Sequence, residues 1–123
     1  MNILLVDDED QLVSTLAERL ELRGIHASWV TNAEDAIRMV KNREFDVAVL
    51  DVKLPKMGGI ELKRKLASIR PNLKFLFMTG HGSQEDFDAA CRDTGIDNYL
   101  VKPVKIEQLI EHLRKLVQSE KRE

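Results

Sequence analysis

The stretch "MNILLVDDED" runs from an apolar segment straight into Asp7, Asp8, Glu9 and Asp10, and "FDVAVLD" likewise ends in Asp51. Carboxylates a few ångströms apart repel, and each raises the other's pKa unless a cation or a hydrogen-bond network compensates. Oxygen-only clusters suit a hard divalent cation such as Mg²⁺, which takes one or two carboxylates, keeps several waters and adds a phosphate oxygen. Thr79 follows another apolar run, "FLFM", and Lys102 precedes Pro103. Phosphoryl transfer needs an oxygen nucleophile, a cation against the developing charge and donors aimed at the equatorial oxygens. Asp51 can be the nucleophile, forming an acyl phosphate. Asp7 and Asp8 can hold Mg²⁺, while the Thr79 hydroxyl and the Lys102 ammonium each bind a phosphoryl oxygen. Gly80 beside Thr79 leaves room for a bulky donor.

These residues converge only if the intervening chain brings strand ends to one rim. Short apolar runs alternate with helical patterns: Ile3 to Val6, then Leu12, Val13, Leu16 and Leu20 closed by Gly24, then a strand from His26 to Val30. Thr31 and Glu34 have capping-box spacing before a helix with Ala33, Ala36, Ile37 and Val40 inward. "FDVAVLDV" reads as the central strand. A helix with Ile60, Leu62, Leu66 and Ile69 stops before Pro71, and "LKFLFMTG" follows. A fourth helix with Phe87, Ala90 and Cys91 inward ends near Gly95, and "NYLV" breaks at Pro103. The last helix carries Ile106, Leu109, Ile110, Leu113, Leu116 and Val117 and trails into "QSEKRE". Strict alternation predicts a doubly wound α/β domain of five βα units, with a parallel sheet and ligands beyond the carboxyl ends of its strands.

A chain of 123 residues with 43% hydrophobic content makes one domain with its own core. The net charge of -2 lacks the one-signed footprint of a nucleic-acid binder. The lone Cys91 has no disulfide partner and fits a reducing cytoplasm, and no signal peptide or membrane-length apolar run is present. Trp29 reads as partial core, and His26 and His112 as solvated.

Taken together, Asp7-Asp8, Asp51, "PKMGG" from Pro55 to Gly59, "TG" at Thr79 and Gly80, and "KP" at Lys102 and Pro103 resemble the receiver domains of two-component response regulators across essentially the whole chain. The resemblance implies a flavodoxin-like (βα)5 fold with strand order 2-1-3-4-5 and Mg²⁺-dependent phosphorylation of Asp51 by the phosphohistidine of a sensor histidine kinase or phosphotransfer protein. It implies slow return by hydrolysis, the Lys53 backbone carbonyl as a metal ligand, and a cis bond between Lys102 and Pro103. It further makes Thr79 and Tyr99 the switch, and Lys53 and His81 the residues that tune lifetime. On this view the protein is a phosphoacceptor regulator rather than an enzyme. Its outputs would be a target protein, an attached effector domain or a homodimer, with no direct contact to nucleic acid or membrane. Residues 1–118 would form the receiver, and 119–123 a polar tail or linker stump.

Each residue alone has an ordinary role: an Asp pair as turn and cap, Asp51 as a loop cap, Thr79 as a turn hydroxyl, Lys102 as a solvated charge. Their joint placement is what those roles leave unexplained. A flavodoxin-like cofactor carrier would need a Ser/Thr/Gly-rich phosphate loop where "DDED" stands. A metal-dependent aspartyl-phosphate phosphatase would carry an Asp-x-Asp nucleophile motif, whereas Lys53 stands two residues after Asp51, and it would need a cap domain. A receiver that is never phosphorylated, serving only as an interaction module, would not need an intact rim.

Overall fold

The computed structural model describes residues 1–80 and 99–121. In chain order the elements are β1 (Asn2–Val6), α1 (Asp10–Glu21), β2 (His26–Val30), α2 (Ala33–Asn42), β3 (Val47–Asp51), α3 (Gly59–Ile69), β4 (Lys74–Thr79), β5 (Tyr99–Val101) and the C-terminal helix α4 (Ile106–Lys121). The helix expected around Phe87, Ala90 and Cys91, and the position His81, lie outside the described residues.

All strand pairings are parallel, and the order is β2-β1-β3-β4-β5. Both faces of the sheet are covered, because successive strand side chains point to opposite sides. In β1, Ile3 and Leu5 enter one core with Val13, Leu16 and Leu20 of α1 and Ile106, Leu109 and Leu113 of α4. Leu4 and Val6 enter the other with Ala36 and Val40 of α2 and Leu62 and Leu66 of α3. A continuous apolar run such as "ILLV" is what burial on two faces requires.

Three local readings change. The N-cap of α2 is Asn32 rather than Thr31: its side-chain oxygen accepts from the Asp35 N–H at 2.8 Å, and its amide donates to the Asp35 carboxylate at 3.0 Å. Asn outranks Thr as a cap, so the box sits one residue later, on Asn32 and Asp35. Trp29 is 42% exposed, not partial core, because β2 is an edge strand with a neighbour on one side only. The last helix continues past Val117 to Lys121 instead of fraying into the polar tail.

Register aligns the carboxyl ends of the strands. Val6 faces Leu50, Asp51 faces Met78, and Thr79 faces Val101. The next residues beyond these pairs are Asp7 on β1 and Lys102 on β5. Among the described residues no helix is long and apolar enough to cross a membrane.

Candidate functional site

Asp51 is the last residue of β3 and Asp7 the first beyond β1, whose N–H still bonds the Val30 carbonyl at 3.3 Å. Both side chains are buried, and Asp8 beside them is exposed. Asp7, Asp8 and Asp51 each offer a carboxylate oxygen, and these oxygens lie within 4.8 Å of one another. The N-terminus of α1 follows directly, and its aligned peptide dipoles favour negative charge there.

The loop after β3 fixes the Asp51 backbone. Lys56 adopts a left-handed conformation at φ 69°, and the Gly59 N–H donates to the Val52 carbonyl at 2.9 Å. A Cβ on Gly59 would overlap the Asp51 carbonyl oxygen and stand 3.0 Å from the Asp51 carbonyl carbon and Val52 Cα. Glycine is therefore what lets α3 start against the strand. The Lys53 N–H donates to Asp51 Oδ1 at 3.3 Å, while its side chain points to solvent.

Lys102 enters from the far side of the sheet. Its Nζ lies 2.6 Å from Asp7 Oδ2, 3.2 Å from Glu9 Oε1 and 3.6 Å from Asp51 Oδ2. The bond between Lys102 and Pro103 is cis, as the resemblance implies. Thr79 is buried at the end of β4, with its hydroxyl 3.4 Å from the Gly80 carbonyl. Tyr99 is half-buried opposite Phe77 and packs against the core shared with α2 and α3. A Cβ added at Gly80 would meet nothing within 4 Å.

Burial pushes the Asp7 carboxyl above its ordinary range, and the nearby Asp51 charge adds to this; Lys102 and the Glu9 N–H pull it down without prevailing. Burial likewise raises Asp51, with Asp8 adding to it, against the Lys102 charge and the Lys53 N–H. Burial alone would lower Lys102, but Asp7, Asp51 and Glu9 more than offset this and raise it. Asp7, Glu9 and Asp51 thus share the Lys102 ammonium.

The residues fit a bound Mg²⁺. All the donors are hard oxygens, and among the described residues the buried Asp7 Oδ2 has only the Lys102 ammonium against it, at 2.6 Å, which leaves it lone-pair capacity for a cation. Asp7, Asp8, Asp51, Thr79 and Lys102 therefore come to one rim, with Lys53 beside them and Tyr99 one pleat behind. Glu9 joins them although its position in the sequence assigned it no role. The only signal was its membership of the acidic run, since a long flexible side chain does not announce its partner.

Residues 3–114 match the family model described as the response regulator receiver domain. The chain is 33% identical over 121 residues to the response regulator MprA of Mycobacterium leprae, covering 98% of this chain and 53% of MprA. The chain thus spans about half the length of that relative. A CheY-like response regulator receiver domain protein from Methanospirillum hungatei superposes with a TM-score of 0.86 at 32% identity, covering 99% of this chain and 98% of that one. A response regulator from Burkholderia pseudomallei, solved with a phosphorylated aspartic acid, a calcium ion and citrate, gives 0.79 at 31% identity, covering 98% and 72%.

Proposed function

The chain belongs to the response regulator receiver domain family of two-component signalling, and from that membership we propose that it accepts a phosphoryl group on Asp51 from the phosphohistidine of a sensor kinase or phosphotransfer protein. The observation that carries this is the meeting of Asp7, Asp8, Asp51 and Lys102 at one rim from three strands. The phosphorylated aspartic acid and calcium ion of the Burkholderia relative support it.

Asp51 supplies the attacking oxygen. Its buried position and its N–H bond from Lys53 keep one oxygen oriented while the other faces the rim. Asp7, Asp8, Asp51 and the Lys53 backbone carbonyl would hold Mg²⁺, which supplies charge neutralisation for the approaching phosphoryl oxygens. Lys102 and Thr79 each bind one phosphoryl oxygen, the ammonium as a charge and the hydroxyl as a donor. The leaving imidazole departs on the solvent side as the oxygen–phosphorus bond forms.

Thr79 and Tyr99 form the switch, and the face formed by β5, α4 and the helix expected around Phe87, Ala90 and Cys91, which lies outside the described residues, carries the output to a target protein, an effector domain or a second copy. Residues 1–118 are the receiver unit and 119–123 a polar tail in this reading, its first residues continuing α4 as far as Lys121, with the protein in the cytoplasm. The test is incubation with a small phosphodonor and Mg²⁺. A single base-labile phosphate is expected on Asp51 and none on Asp51→Asn. Steady release of phosphate with no adduct would instead mark a phosphatase.

A further inference from the structure

Glu9 occupies the N-cap position of α1, yet its side chain makes no capping hydrogen bond. Glutamate is poorly suited to that role, which favours Asn, Asp, Ser and Thr. Its carboxylate reaches instead to the Lys102 ammonium, 3.2 Å away and 93 residues on in the chain. An ammonium has three N–H donors, and Lys102 has carboxylates at 2.6, 3.2 and 3.6 Å from Asp7, Glu9 and Asp51. The Glu9 contact is shorter than the contact to Asp51.

We propose that Glu9 is a positioning residue that holds Lys102 back in the unmodified protein, so that the ammonium reaches a phosphoryl group on Asp51 by giving up Glu9. This rests on the reading of Asp51 as the phosphoacceptor. A contact biases an equilibrium only if it differs between the two states. Asp7 is ill placed to be released, being fully buried, whereas the Glu9 side chain is 64% exposed and returns to water when the pair breaks. The pair is therefore weak enough to exchange and close enough to count.

An ion pair this exposed changes an equilibrium only a few-fold. The test measures the affinity for beryllofluoride, a phosphoryl mimic, at fixed Mg²⁺ in wild type, Glu9→Gln and Asp10→Asn. Asp10, exposed in the first turn of α1, removes the same charge without contacting Lys102. Glu9→Gln is expected to bind about threefold tighter, with Asp10→Asn unchanged. In metal-free protein the Lys102 ε-methylene resonances are expected to shift in Glu9→Gln and not in Asp10→Asn. A wild type that binds no mimic overturns the phosphoacceptor reading itself. Wild-type binding with equal or weaker binding by Glu9→Gln, an equal gain in Asp10→Asn, or unmoved Lys102 resonances overturns the hold-back alone.

Discussion

The Lys102 N–H donates to the Thr79 carbonyl oxygen at 2.8 Å, so the two residues assigned to the phosphoryl oxygens are tied backbone to backbone. Thr79 is also paired with Val101 across the β4–β5 ladder, and Tyr99 lies at the start of the same short strand. A shift of Thr79 toward a modified Asp51 is therefore felt along β5. On the proposed reading those side chains are the contacts that differ between the two states, and so the ones that set how strongly modification biases the surface.

Beryllofluoride with Mg²⁺ is expected to move the amide resonances of Thr79, Tyr99 and Lys102 together. In Thr79→Ala the mimic should still bind while Tyr99 stays put, because the hydroxyl that follows the phosphoryl group is gone. Unchanged Tyr99 shifts in wild type would remove the switch. Val101 is 38% exposed on the β5 edge, and sedimentation should show a mass increase if that face pairs two copies; constant mass rules the dimer out.

Metal binding is expected to run mainly through Asp8 and Asp51, with Asp7 contributing partly through water. Mg²⁺ at tenfold over its dissociation constant stabilises the native state by about 1.4 kcal/mol. Asp8→Asn should lose that increment and its phosphorylation, yet fold as well as wild type in chelator, since one repelling carboxylate next to Asp51 has been removed. Urea midpoints with and without Mg²⁺ decide it. A variant that retained the increment would place the ion elsewhere.

Without metal, stability should depend on pH with a definite sign. Burial raises Asp7 and Asp51 above the ordinary 3.8, so the folded protein holds these protons more tightly than the unfolded chain. Their contribution is complete below 3.8 and is lost as pH rises through the raised folded values. Lys102 is raised above 10.5, and its contribution is complete below 10.5 and lost as pH climbs through its folded value. Asp51→Asn should gain on wild type as pH rises out of the acid range in chelator. A gap that stayed constant with pH would contradict the burial account.

Gly59→Ala and Gly58→Ala form a matched pair. The first methyl would overlap the Asp51 carbonyl, which belongs to a buried strand and cannot yield, while the second would sit 3.6 Å from the Val52 oxygen in ordinary contact. Overpacking of the first kind costs about 1–3 kcal/mol. Denaturant unfolding should show that loss for Gly59→Ala and a smaller one for Gly58→Ala.

The strands and most of the rim were legible because burial on both faces writes itself as unbroken apolar runs, and because each run ends in a residue with chemistry. Asp51 and Thr79 are such ends. Strand order came from the family resemblance rather than from periodicity. What local pattern does not encode is lateral position in the sheet, so the exposure of Trp29 on the β2 edge was not visible. Cap choice between adjacent Thr31 and Asn32 turned on a side-chain preference of a fraction of a kcal/mol. Glu9 was missed for a third reason: its partner Lys102 is 93 residues away, and only the closed sheet brings them together.

The lifetime of a phosphoryl group on Asp51 is expected to depend on Lys53. Its N–H holds Asp51 Oδ1 at 3.3 Å, so the residue is anchored at the acceptor while its side chain remains exposed on the solvent side, from which water must come. A lysine has donors but no acceptor, so it can pair with a phosphoryl oxygen and crowd the approach but cannot orient an attacking water through that water's proton. A carboxamide both accepts and donates. Lys53→Asn and Lys53→Gln should therefore lose phosphate roughly tenfold faster than wild type, about 1.4 kcal/mol in the barrier. His81, assigned to the same path from the sequence, would act in either direction: its imidazole can shield the site or, when neutral, orient a water. The measurement is decay of purified phospho-protein at constant Mg²⁺ in wild type and both Lys53 variants. Equal or slower decay in both would show that the Lys53 side chain does not guard the water path, and would leave the bound phosphoryl group screened by other residues of the rim.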